Sequence, residues 1–149
     1  LADSAHAPYG PKGGDFIRAR CDQIMDYFLQ LQVKAVVVAC NTATAAAIAG
    51  MRERYTIPLI GVEPAVKPAA ESSASGIVGV LATSGTISSD KFLKLQDRFT
   101  HQAEIITRAC PGLVELIEAP VFDERAIVDL LNEFIGPMLA KGADTLVLG

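Results

Sequence analysis

Val33-Lys34-Ala35-Val36-Val37-Val38-Ala39-Cys40-Asn41-Thr42-Ala43-Thr44-Ala45 passes from an apolar run of strand length, through a cysteine and small polar residues, into an alanine-rich stretch. A nearly continuous β-branched run is the pattern of a parallel strand covered on both faces. The alanine-rich stretch from Thr42 or Thr44 to about Arg54 ends in Arg52-Glu53-Arg54, which suits a helix carrying cations in its last turn. Strand, tight polar turn and helix in that order are the unit of an α/β fold, in which ligands sit beyond the C-terminal ends of the strands.

The same grammar extends in both directions. Upstream, Ile17, Cys21, Ile24, Phe28 and Leu31 stack on one face of a helix from Asp15 to Leu31. Before it lies a loop rich in proline and glycine, with His6, Pro8, Tyr9, Gly10, Pro11, Gly13 and Gly14. Downstream, Ile57 to Val62 reads as a second strand, and Glu63-Pro64-Ala65-Val66-Lys67-Pro68 with the polar Glu71 to Ser75 reads as a crossing between lobes. Ile77 to Ala82 is a third strand, and Thr83-Ser84-Gly85-Thr86 a polar turn before a helix capped by Ser88 or Ser89. Glu104 to Thr107 reads as a strand and Pro111 to Glu118 as a short helix with proline first. Asp123 to Lys141 is a long helix that Gly136-Pro137 should kink or split, and Thr145 to Leu148 a final strand. The expected fold is α/β, with two doubly wound parallel-sheet lobes, residues 1–66 belonging to the first and 67–149 to the second.

The 149 residues are 50% apolar and 20% charged, enough for a real core and too apolar for a disordered linker. A net charge of −4 argues against a nucleic-acid surface and against an anionic membrane. No apolar run of about 18 residues suggests a membrane span, and no signal-peptide layout suggests export, so a cytoplasmic location is expected. The first residue is Leu1 and Gly149 follows a strand directly, which reads as a segment of a longer protein.

Cys40 stands between a strand end and a helix start, where helix amides and dipole favour an anionic thiolate. Asn41, Thr42 and Thr44 add uncharged donors suited to a carboxylate or a developing oxyanion. The same position also suits a small buried residue capping a strand. Cys21 belongs to an apolar stripe, and Cys110, before Pro111, has no partner base nearby in sequence, so both read as structural. Three cysteines without pair spacing, and histidines His6 and His101 without ligand spacing, point to neither a disulfide framework nor a metal site. The Tyr9 hydroxyl and its loop amides either serve a ligand or merely pad the surface. The Thr83–Thr86 turn suits a carboxylate or phosphate as well as ordinary capping. Neither a Walker loop nor Gly-x-Gly-x-x-Gly occurs, so nucleotide binding has little support.

Together these stretches resemble bacterial glutamate racemases. The likeness rests on Pro8-Tyr9-Gly10-Pro11-Lys12, Val38 to Ala45, Ile57 to Ala65, Gly79 to Thr86, Ala109-Cys110-Pro111 with Val114-Glu115-Leu116, and Asp144 to Gly149, in that order and spacing. The Ala43-Thr44-Ala45 continuation favours glutamate over aspartate racemases. The resemblance implies a cofactor-independent enzyme, an isomerase interconverting L- and D-glutamate for peptidoglycan synthesis. Two cysteines would flank the substrate Cα, and Cys40 matches the first. Tyr9, Gly10, Asn41 and Thr42 match substrate-binding positions, and Thr83 and Thr86 match the turn that holds a substrate carboxylate. Glu118 corresponds to an acidic residue that supports the second cysteine's side. The family's Asp-Ser-Gly motif and the Cys-Thr-His bearing the second cysteine lie outside these residues, the latter expected directly after Gly149. The Val62-to-Pro68 segment looks like a subgroup some of whose members need a cell-wall precursor as activator; that partner and a homodimer are left open. The competing readings are a noncatalytic amino-acid or protein binding module and a racemase for aspartate or a hydantoin.

Overall fold

A computed structural model describes all 149 residues. Helix α1, Gly14–Gln30, turns Ile17, Cys21 and Met25 inward, as the apolar stripe requires. Strand β1, Val36–Val38, pairs in parallel with β2, Leu59–Gly61, with Val36 opposite Leu59 and Val38 opposite Gly61. Between them runs α2, Asn41–Arg54, whose alanines let it pack closely on α1. One core joins Ile17, Cys21 and Met25 to Val36, Ala43, Ala47, Ile48, Met51 and Leu59.

The second sheet has the order β4-β3-β5, all parallel, with β3 (Ile77–Ala82) between β4 (Glu104–Ala109) and β5 (Thr145–Leu148). On one face Val78 and Val80 meet Val66, Ala69 and Ala70 of α3 (Val66–Ser72), and Phe92 and Leu95 of α5 (Asp90–Asp97). On the other, Leu81 meets Leu113 of α6 (Leu113–Ile117), and Ile127, Phe134 and Met138 of α7 (Glu124–Ala140). Helices on both faces of a parallel sheet make the doubly wound arrangement, and the central strand is accordingly buried from Val78 to Ala82.

Within these residues α1 and α2 both pack on the Val36 side of β1, with Val37 and Ile60 58% and 52% exposed on the other. Four expectations need correction. The stretch read as a crossing contains α3, since Pro68 stands at its third residue, where a helix has no use for the N–H. Thr83–Thr86 is not a plain turn but the start of α4, Ser84–Ile87, capped by Thr83. Pro111 lies outside α6, whose cap is Gly112 at φ +82°. Finally, α7 continues through Gly136-Pro137 unsplit: proline removes one donor near the C-terminal end, while Phe134 and Met138 stay locked in the core.

Candidate active site

Both sheets deliver their strand ends to one cleft. Cys40 caps α2 from an extended backbone, and its Sγ accepts the Ala43 N–H at 3.4 Å. Thr83 caps α4 in the same way, its hydroxyl accepting the Thr86 N–H at 3.2 Å. The two caps meet through threonine. Thr42 Oγ1 lies 3.0 Å from Thr83 Oγ1 and 3.3 Å from Thr86 Oγ1, and the last two are 3.0 Å apart. Three hydroxyls thus form a closed ring between the first sheet's helix and the second sheet's turn.

A cavity of about 600 Å³ opens beside this ring, within the range of small-molecule sites. Its polar end is lined by Tyr9, Gly10, Cys40, Asn41, Thr42 and Thr83, joined by Glu118 and Gly149 from the second sheet's side. Its other end is apolar, with Ile24, Met25, Phe28 and Val36 to Val38. Gly10 packs tightly on Thr83: a Cβ there would lie 3.0 Å from Thr83 Cγ2, so the threonine would have to give way by a few tenths of an ångström. Asn41 Oδ1 is buried without a hydrogen-bond partner. A buried acceptor left open beside a cavity is a ready partner for a ligand's N–H.

Six of the seven residues singled out from sequence therefore share one cavity wall. Thr86 does not line it; 1% exposed, it sits behind Thr42 and Thr83 and holds both hydroxyls. Thr44 faces away altogether. It is fully buried, donates to the Val38 carbonyl at 3.1 Å and accepts the Val62 N–H at 3.2 Å, so it serves the strand ends and no ligand.

The Tyr9 hydroxyl is engaged within its own loop. It donates to Asp3 Oδ2 at 2.6 Å, and burial together with that carboxylate pushes its pKa above the ordinary phenol range. The O–H proton is thus committed to Asp3, while the ring and the loop backbone line the cavity. Asp3 itself is held well below the usual carboxylate range, chiefly by the Arg20 guanidinium. Neither Asp3 nor Arg20 carries a sequence signal, because their meeting joins the N-terminal loop to the middle of α1.

The other cysteines differ from Cys40 as expected. Cys21 touches the apolar end of the cavity but is 7% exposed, and burial, aided by Asp22, pushes its thiol up to about 11. Cys110 is likewise buried, and burial pushes its thiol up. No group of three His, Cys, Asp or Glu side chains is placed to hold a metal ion, and no helix is long and apolar enough to cross a membrane.

A parallel α/β fold with a thiol, an amide and a hydroxyl ring at the strand ends defines a class, and all of residues 1–149 match it: the chain belongs to the Asp/Glu/hydantoin racemase family. Within that family its relatives are glutamate racemases. It is 54% identical to the glutamate racemase of Ectopseudomonas mendocina over 150 aligned positions and 51% identical to that of Pseudomonas aeruginosa. Both alignments cover the whole chain, which spans 57% of the length of each relative. Among solved structures it is similar to Escherichia coli glutamate racemase in complex with L-glutamate and the activator UDP-MurNAc-Ala. That match has TM-score 0.83 and 38% identity, covering 99% of this chain and 56% of the other. A Bacillus anthracis glutamate racemase isoform matches with TM-score 0.82 at 30% identity, covering 97% of this chain and 55% of its own.

Proposed function

We propose that these residues form the Cys40 side of a cofactor-independent glutamate racemase, with residues 1–66 and 67–149 contributing to two lobes that close on the substrate. The observation that carries this reading is the placement of Cys40, Asn41, Thr42 and Thr83 around one cavity, in a chain more than half identical to glutamate racemases along its whole length.

The chemistry follows from what a Cα–H beside a carboxylate demands. That proton is very weakly acidic, so its removal needs a thiolate base and donors aimed at the carboxylate as negative charge grows there. Cys40 takes the proton as its thiolate becomes a thiol. The Thr42 and Thr83 hydroxyls supply donors to the carboxylate, and Asn41 Oδ1 is an acceptor open to the substrate ammonium. Inversion requires an acid on the opposite face. On the racemase reading that role falls to a second thiol facing the side of the cavity that Glu118 and Gly149 line. Glu118, on the same wall, is positioned to assist on that side.

The product D-glutamate serves peptidoglycan synthesis, which places the enzyme in the cytoplasm. An activator of the kind named for the E. coli relative, a UDP-linked muramoyl precursor, is the first partner to test, and sedimentation of the full-length protein tests a homodimer. The decisive experiment incubates full-length protein with each glutamate enantiomer in D2O. Deuterium should enter Cα while circular dichroism decays to zero, and Cys40→Ala should abolish both with the fold intact. Glutamate binding without Cα exchange in the unmutated protein would replace the racemase with a binding module.

A further inference from the structure

Arg20 lies on α1 and does not line the cavity, yet it reaches the cavity through a chain of short contacts. Its Nε donates to Asp3 Oδ2 at 3.0 Å and its Nη2 to Asp3 Oδ1 at 2.7 Å. This is the two-pronged geometry that a guanidinium makes and an ammonium cannot. Nη1 donates to Gln23 Oε1 on the same helix, so the whole fork is oriented. The Asp3 carboxylate then receives two groups from its own loop: the Tyr9 hydroxyl at 2.6 Å, and His6, whose Nδ1 lies 3.0 Å from Oδ1. Within the loop the His6 and Ala7 amides donate to the Asp3 carbonyl at 2.9 and 3.0 Å, and the Lys12 amide to the Tyr9 carbonyl at 3.0 Å. The loop ends in close contact with Thr83 at Gly10, where an added Cβ would lie 3.0 Å from Thr83 Cγ2.

We propose that Arg20 is a positioning residue that, acting through Asp3, fixes the Tyr9–Gly10 loop at the ligand-facing wall of the cavity. The role in substrate affinity rests on the racemase reading above; the ordering of the loop does not. The physical reason is charge and direction together. The Asp3 side chain is only 14% exposed and that of Arg20 22%, so a carboxylate stripped of the guanidinium would be left poorly solvated and poorly paired. The fork also fixes the plane of the carboxylate, which aims its remaining lone pairs at Tyr9 and His6. A lysine in place of Arg20 keeps the charge and loses the plane. Loop displacement by a fraction of an ångström then loosens the Gly10–Thr83 wall, and binding geometry of that kind governs affinity and rate steeply.

The test uses Arg20→Lys and Arg20→Met in the full-length protein, with the melting temperature as the check on folding. For Arg20→Lys with L-glutamate, KM should rise about tenfold while kcat stays within about threefold, because the reacting thiol is untouched. In a Tyr9→Phe background, where one of the two side-chain links from Asp3 to its loop is already cut, the same change should raise KM by less than it does in the parent. Hydrogen exchange at the His6, Ala7 and Lys12 amides should quicken in both Arg20 variants. A KM within about twofold of the unmutated enzyme, or unchanged exchange at those three amides, overturns the proposal. If the unmutated protein does not racemise glutamate, the functional reading fails by itself, and amide exchange decides the ordering role: faster exchange supports it and unchanged exchange refutes it.

Discussion

Thr44→Val separates burial from hydrogen bonding at a point one helical turn from Cys40. Thr44 is 0% exposed, so by burial alone valine, the same size and more apolar, should be the better residue. The hydroxyl argues the other way. It donates to the Val38 carbonyl at 3.1 Å and accepts the Val62 N–H at 3.2 Å, tying α2 to the ends of both β1 and β2. Losing a partner costs a buried backbone group about 1–3 kcal/mol. Val38 and Val62 are half-buried, which puts each near the lower end and the sum at about 2 kcal/mol. Thr44→Ser keeps both bonds and gives up one methyl, about 1 kcal/mol. Urea unfolding of the full-length protein should therefore rank threonine above serine above valine. Cys40, two residues beyond Val38, should also be alkylated faster in the valine variant. A valine variant as stable as threonine, or more stable than serine, would refute the reasoning and return Thr44 to a plain packing role.

Iodoacetamide under native conditions should label Cys40 well before Cys21 and Cys110, whose thiols are buried and pushed up; peptide mass mapping reads the order, and early labelling of Cys21 would be incompatible with the packing of α1. Gly61→Ala should cost about 1–3 kcal/mol, since the new Cβ would fall 2.6 Å from Thr44 Cγ2 on a β-branched side chain with little freedom to move; a denaturant midpoint equal to that of the parent contradicts it. Asp144 accepts from the Ser73 hydroxyl and the Ala74 and Ser75 amides, and the bonds from Ser73 and Ser75 hold its carboxyl well below the usual range. A lowered folded-state pKa means stability that is present above the unfolded value of about 4 and lost as pH falls below it. Melting temperatures measured from pH 7 down to 3 should fall less steeply for Asp144→Asn, and parallel curves would exclude the linkage.

Much of this architecture is legible in the order of the residues, for identifiable reasons. Ile77–Ala82 and Thr145–Leu148 are apolar runs with sharp polar borders, and both form strands with those limits. The run from Val33 to Ala39 is longer than β1 because Val33 still closes the turn that ends α1. Gln32 takes a left-handed φ of 52°, and the Val33 N–H returns to the Phe28 carbonyl. That is a stop usually signalled by glycine, and here it is made without one. α3 is hidden by Pro64 and Pro68, which have the pattern of a linker until the burial of Val66 and Ala69 shows what the segment packs against. Cys40 and Thr83 are legible as helix caps, because a small polar residue between a strand and a helix suits that position. The pairing of Thr42 with Thr83, 41 residues apart, and of Asp3 with Arg20 depends on how the elements dock, and no local pattern records it.

The hydroxyl ring has a consequence in proton counting. Three hydroxyls bring three protons, and a ring of three edges uses all of them. An anion arriving at Thr42 or Thr83 can draw a proton toward itself only by opening an edge. Two of the three edges, Thr42 to Thr83 and Thr42 to Thr86, run between the first sheet's helix and the second sheet's turn. On the racemase reading, a carboxylate seated at this turn would therefore exchange one of these bonds between the two sheets for a bond to the ligand.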